Sequence, residues 1–196
     1  MSDERHQQRQ QRLKEQVDAR IAEAREERGI IMVFTGNGKG KTTAAFGTVT
    51  RAVGHGHKAG VVQFIKGNWP NGERNLLEPA GVEFQVMATG FTWETQNRES
   101  DTAACQSVWL HAQRMLADPT LDLVVLDELT YMVAYDYLEL EEVLNALRSR
   151  PVSQSVIITG RGCHREIIEL ADTVSELRPV KHAFDAGIKA QPGIDY

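Results

Sequence analysis

Past Arg28 the chain breaks into short apolar runs separated by longer stretches with helical spacing. The runs are "IIMVFT" at 30–35, "GVVQFI" at 60–65, "VEFQVMA" at 82–88, "LDLVVLD" at 121–127, "SVIITG" at 155–160 and "TVSEL" at 173–177. Most are β-branched and nearly continuous in apolarity, as expected of strands covered on both faces. Helices are predicted between them at 41–54, 96–117, 139–149 and 163–171, the second stopped by Asp118-Pro119. Strand-helix alternation predicts an α/β fold whose mostly parallel sheet carries helices on both faces. Such sheets bind ligands beyond the carboxyl ends of their strands. There the loops at 35–42, 66–75, 89–97, 128–138 and 160–164 would gather.

Before Arg28 the pattern differs. Residues 3–28 are polar and carry charges of both signs, with a thin apolar stripe of Leu13, Val17, Ile21 and Ala24 at helical spacing. A helix this polar gains little from packing. It reads either as a solvated helix resting on its own domain or as a lid. The chain therefore divides into a polar helical arm, 1–28, and one domain, 29–196.

Composition narrows the classes. Hydrophobic content of 41% and charged content of 25% are those of a globular protein. A net charge of -5 provides no global basic field for nucleic acid. No apolar run is long enough to span a membrane, and "MSDERHQQRQ" is the opposite of a signal peptide. Cys105 and Cys163 stand far apart, in keeping with reduced thiols in a cytoplasmic protein.

The chemistry begins at "TGNGKGKTT", 35–43, between the first strand and the first helix of the domain. Glycines at 36, 38 and 40 let successive N–H groups aim at one point, and the helix N-terminus adds its dipole. Lys41 would neutralise phosphate oxygens, the Thr42 hydroxyl could ligate Mg²⁺, and Lys39 adds a cation. The usual spacing, G-x-x-x-x-G-K-[ST], asks for glycine at 35, where this chain has Thr35. A second element supports the loop: "LDLVVLDE" is a strand ending in Asp127-Glu128, where an acid reaches a metal opposite Thr42. Together they predict binding of a metal-bound nucleoside triphosphate. Arg51, on the helix leaving the loop, and Arg161, in "TGRG", are candidate pocket cations, Arg161 the better placed.

Glu128 could position a nucleophile, so kinase or hydrolase chemistry is open at this point. A nucleic-acid module with stacked bases and a regulatory ATP-binding subunit are open too. "TGFTWETQN" at 89–97 points elsewhere: Phe91 and Trp93 sit on a polar loop at the binding edge, and Trp69 in "KGNWPNGE" joins them. Such rings either pack inward or meet a broad apolar ligand. His55, His57 and Cys163-His164 form no metal set.

With "FTGNGKGKTTAAFG", "VVQFIKGNWPNGE", "GFTWETQN", "VVLDELTYM", "IITGRGC" and "VKHAFDAGIKAQPGIDY" in order, the chain resembles the P-loop type of ATP:corrinoid adenosyltransferase, the CobA/BtuR family. The shortened loop is itself a feature of that family. The resemblance implies a P-loop NTPase architecture of the RecA-like kind. It also implies attack of corrinoid Co(I) on C5′ of ATP, with triphosphate leaving. Gly36, Asn37, Gly38, Lys39, Gly40, Lys41, Thr42 and Thr43 match the family's nucleotide loop. Thr42 and Glu128 match positions near Mg²⁺ (or Mn²⁺), and Phe91 and Trp93 match the loop that lies against the corrinoid and helps displace its lower axial base. The polar arm would be a lid over the corrinoid. A reduced flavoprotein donor and a homodimer follow from the family alone, and no nucleic-acid or membrane partner is expected.

Overall fold

A computed structural model describes residues 3–65, 71–87 and 98–195. Six parallel strands form one sheet: β1 (Ile31–Thr35), β2 (Ala59–Gln63), β3 (Glu83–Val86), β4 (Leu123–Asp127), β5 (Ser155–Thr159) and β6 (Thr173–Glu176). Their order is β3-β2-β4-β5-β1-β6, so β5 lies between the strand that enters the glycine-rich loop and the strand that ends in Asp127. All six predicted runs are strands of the expected sheet.

The continuous apolarity of the runs has a direct packing reason. Alternate residues of each central strand enter two separate cores. Val125 of β4 and Ile157 of β5 face one helical layer, α2 (Lys41–Gly54) and the short α3 (Gly72–Leu77). Val124, Leu126, Val156 and Ile158 face the other, built by α4 (Arg98–Ala117), α5 (Leu129–Ala134), α6 (Leu140–Arg148) and α7 (Arg165–Leu170). With both faces covered, a polar residue at any of these positions would be desolvated. β6 is different: it pairs with β1 alone and all four of its residues are exposed.

α3 begins inside the segment 66–75, and α5 lies within 128–138, both read from sequence as loops. Each has six residues and no one-sided apolar stripe, α3 opening on the polar stretch Gly72-Glu73-Arg74-Asn75. α3 starts where the Asn71 side chain accepts the Arg74 N–H. α5 buries Leu129, Thr130, Met132 and Val133, so it is apolar on most sides. The arm forms α1 (Asp3–Glu23); its stripe residues Leu13, Val17 and Ile21 are exposed.

One buried polar group closes the lower edge of the sheet. Gln154 is fully buried, and its Nε2 donates to the carbonyls of Met115, Asp118 and Leu121 at 3.0, 3.0 and 3.3 Å. It satisfies the chain where α4 ends. Gln154→Ala should therefore cost about 2 kcal/mol, since desolvated carbonyls lose their donor. For a domain of this size the melting temperature should fall by about 4–8 °C, read by thermal unfolding followed by circular dichroism.

Candidate nucleotide site

The glycine-rich loop leaves β1 and opens α2 at the carboxyl edge of the sheet. Thr35 is still the last residue of β1, and its carbonyl accepts the Leu177 N–H at 2.8 Å. It is extended and has no need of glycine, which accounts for the changed spacing: the left-handed turn comes one residue later, at Gly36 (φ 97°). A side chain on Gly36 would fall on the Leu177 carbonyl oxygen. One on Gly38 would lie 2.7 Å from the Leu177 carbonyl carbon. The loop is thus packed against the chain that leaves β6, and the Gly38 N–H donates to the Leu177 carbonyl at 2.7 Å.

Behind the loop stands Asp127, fully buried at the end of β4. Its Oδ1 accepts from the hydroxyls of Thr42 (2.9 Å) and Thr159 (2.7 Å), and its Oδ2 from Gln63 Nε2 (3.0 Å). Asn71 Nδ2 donates in turn to Gln63 Oε1 at 3.1 Å. Four elements converge on one carboxylate: α2, β2, β4 and β5. The sequence places Thr42 and Glu128 near a metal ion; in the structure the Thr42 hydroxyl donates to the neighbouring acid, Asp127. Gln63 and Thr159 were not singled out from sequence. For both the signal was a polar residue set in an apolar run, Gln63 within "GVVQFI" and Thr159 near the end of "SVIITG".

Glu128 follows in the left-handed region, φ 62°, with its N–H donating to Thr159 Oγ1 at 2.9 Å. A bulky non-glycine residue held there is strained, which turns the chain sharply from β4 into α5. Its carboxylate lies close enough to favour the charge on Lys41.

Lys41 is buried at the first position of α2 and donates from Nζ to the Gly38 carbonyl at 2.8 Å. Burial pushes its pKa below the ordinary 10.5; Glu128 and Asp127 oppose the shift and Arg161 reinforces it. Arg161 therefore sits near the loop, with its own carbonyl accepting from Thr130 Oγ1 at 2.7 Å. Lys39, Asn37 and Thr43 are exposed at the loop mouth, and Lys39 Nζ bonds Asp195 Oδ1 at 2.6 Å. Arg51 is not brought to this cluster: it is exposed in the last turn of α2, about 15 Å along the helix from Lys41. Phe91, Trp93 and Trp69 lie outside the described residues.

Neither thiol offers a nucleophile. Burial raises the Cys105 pKa to about 12 and that of Cys163 to about 11. Among the described residues no three His, Cys, Asp or Glu side chains form a metal-holding group. The oxygen donors near Thr42 would share a hard divalent cation with phosphate oxygens rather than cage it alone.

A parallel sheet, a glycine-rich strand-to-helix loop, a buried lysine at its end and a carboxylate on the facing strand define a P-loop nucleotide-binding protein. The particular kind follows from similarity along the whole chain. The sequence pattern of the family described as ATP:corrinoid adenosyltransferase BtuR/CobO/CobP matches residues 27–196. A second pattern, cob(I)alamin adenosyltransferase N terminal, matches residues 1–21. The corrinoid adenosyltransferase of Escherichia coli (strain K12) is 83% identical over 196 residues, covering 100% of both chains. Corrinoid adenosyltransferase CobA of Salmonella typhimurium is 81% identical over the same full lengths. The corrinoid adenosyltransferase of Pseudomonas aeruginosa is 52% identical, covering 99% of this chain and 97% of its own. The chain belongs to the ATP:corrinoid adenosyltransferase family.

Two outcomes are expected of this geometry. Thr42→Val keeps the shape but removes a donor from Asp127. It should cost about 1–2 kcal/mol in urea unfolding and weaken MgATP binding roughly tenfold. For Lys41 the lowered pKa means that the unfolded chain binds the proton more tightly. Stability should then rise with pH from the lowered value up to 10.5. Lys41→Met should remove that part of the pH dependence, read by urea unfolding across the alkaline range.

Proposed function

We propose that the chain transfers the 5′-deoxyadenosyl group of ATP to the Co(I) of a reduced corrinoid, with triphosphate as the leaving group. Membership of the family over 27–196 is the observation that carries this reading, and full-length identity of 83% to a corrinoid adenosyltransferase supports it.

The chemistry asks the protein for positioning and electrostatics rather than for a base or a nucleophile. Cobalt supplies the electron pair, the C5′–O bond breaks, and negative charge grows on the triphosphate. In our reading the loop 36–43 grips the polyphosphate whole. Lys41, whose charge is held in a desolvated position, gains most from an anion arriving within reach. Its ammonium would leave the Gly38 carbonyl for the phosphate oxygens. Arg161 and Lys39 add positive charge around the same group.

Mg²⁺ fits the donors present: the Thr42 hydroxyl already points at an acidic strand end, and Glu128 is adjacent. Thr42 would ligate the ion, with Asp127 orienting that hydroxyl and Glu128 contributing charge. When bound, Mg²⁺ neutralises the polyphosphate. Phe91 and Trp93 would lie against the corrinoid and displace its lower axial base, which makes Co(II) easier to reduce. The arm 1–28 would cover the corrinoid over the domain 29–196. We further infer a cytoplasmic homodimer served by a reduced flavoprotein; no helix among the described residues is long and apolar enough to cross a membrane.

The test is to mix protein, MgATP and chemically reduced cob(I)alamin without oxygen. A light-sensitive Co–C product and free triphosphate should appear together. ADP and phosphate with no new cobalt species would overturn the proposal in favour of phosphoryl chemistry. Trp93→Ala should spare ATP binding yet slow adenosylation when a Co(II) corrinoid and an enzymatic reductant are supplied.

A further inference from the structure

The segment after β6 returns to the phosphate loop at both of its ends. At its start the Leu177 carbonyl accepts the Gly38 N–H at 2.7 Å. At its far end Asp195 Oδ1 accepts from Lys39 Nζ at 2.6 Å. Residues 179–195 are exposed almost throughout, with a single 3-10 turn at Phe184–Ala186. Among the described residues, the hydrogen bond from Lys39 is the one that ties 179–195 to the rest of the domain. The segment has little buried surface to hold it, so that bond sets where its end lies.

The carboxylate is prepared for this contact by its own turn. Asp195 Oδ2 accepts the Gln191 N–H at 2.9 Å, and the Asp195 N–H donates to the Gln191 carbonyl at 2.8 Å. The turn fixes one oxygen and presents the other to Lys39. Lys39 lies between two loop glycines, in the stretch that in our reading takes the polyphosphate. One ammonium then faces two anions, a single carboxylate and a triphosphate with several charges. The triphosphate wins by Coulomb attraction and also repels the carboxylate.

We propose that Asp195 is an intramolecular competitor of the polyphosphate for Lys39. The C-terminal segment is latched to the loop when the loop is empty and released when nucleotide fills it. In the forward reaction the same competition favours departure of triphosphate, because the carboxylate takes Lys39 back as the product leaves. This rests on the reading of 36–43 as the polyphosphate site.

The test combines calorimetric titration of MgATP and magnesium tripolyphosphate with hydrogen exchange of the peptide 188–195. Asp195→Asn should bind both ligands about threefold to fivefold tighter, the range that release of one exposed ion pair allows. Asp195→Glu should return binding toward the wild-type value. Asp185→Asn removes the same charge from the same segment away from Lys39 and should leave affinity unchanged. Saturating MgATP should speed exchange in 188–195 of the wild type, whereas Asp195→Asn should exchange fast without nucleotide. Equal or weaker binding by Asp195→Asn, or slower exchange on saturation, would overturn the latch. Failure of the wild-type protein to bind MgATP would remove the nucleotide reading itself, and the latch with it.

Discussion

The carboxylate of Asp127, wholly withdrawn from solvent, holds the phosphate-loop helix against the sheet. A buried carboxylate is costly unless donors surround it. Here three arrive, the hydroxyls of Thr42 and Thr159 and the amide of Gln63. Each comes from a different element, so the geometry of α2, β2 and β5 at the ligand edge is fixed together with β4. Moving any one of them would leave part of that charge without a partner in a low-dielectric interior, where such a loss is most expensive.

The two apolar cores set this hub at a constant height. Because alternate residues of β4 and β5 enter opposite helical layers, neither strand can slip by one position without exchanging its faces. The register that pairs Leu126 with Ile158 also carries Asp127 and Thr159 to adjacent positions beyond the last core layer. Function is thus placed where packing ends. Glu128 then makes the turn into α5 in a strained conformation, held by its N–H bond to the same Thr159 hydroxyl.

Glycine in the loop serves two purposes at once. It allows the backbone to curl toward a phosphate, and it lets the chain leaving β6 pass at backbone contact. The loop spacing makes sense only with the second purpose in view. Thr35 is held in the strand through its carbonyl bond to Leu177, so the turn is delayed to Gly36. The changed motif and the sixth strand are parts of one structural solution.

Much of this was legible in the sequence. All six strands, four domain helices and the stop at Asp118-Pro119 follow from apolar runs, helical spacing and proline chemistry, which act locally. The pairing of a glycine-rich loop with an acid after "LDLVVL" was also visible, because both motifs report the same ligand charge. Two short helices escaped, since α3 opens on the polar stretch Gly72-Glu73-Arg74-Asn75 and α5 is apolar on most sides, so neither shows a one-sided apolar stripe. Which acid holds Thr42 could not be read either. Asp127 and Glu128 are neighbours in the chain, and only where β4 ends decides between them: Asp127 is still in the strand and meets Thr42, whereas Glu128 has left it in the left-handed turn. Nor could the contact of Lys39 with Asp195, 156 residues away, be read from spacing. The order of elements and the identity of the charged groups belong to the sequence, because they depend on local propensity and composition. Who touches whom at the site belongs to the tertiary structure, because sheet order and side-chain direction bring distant residues together.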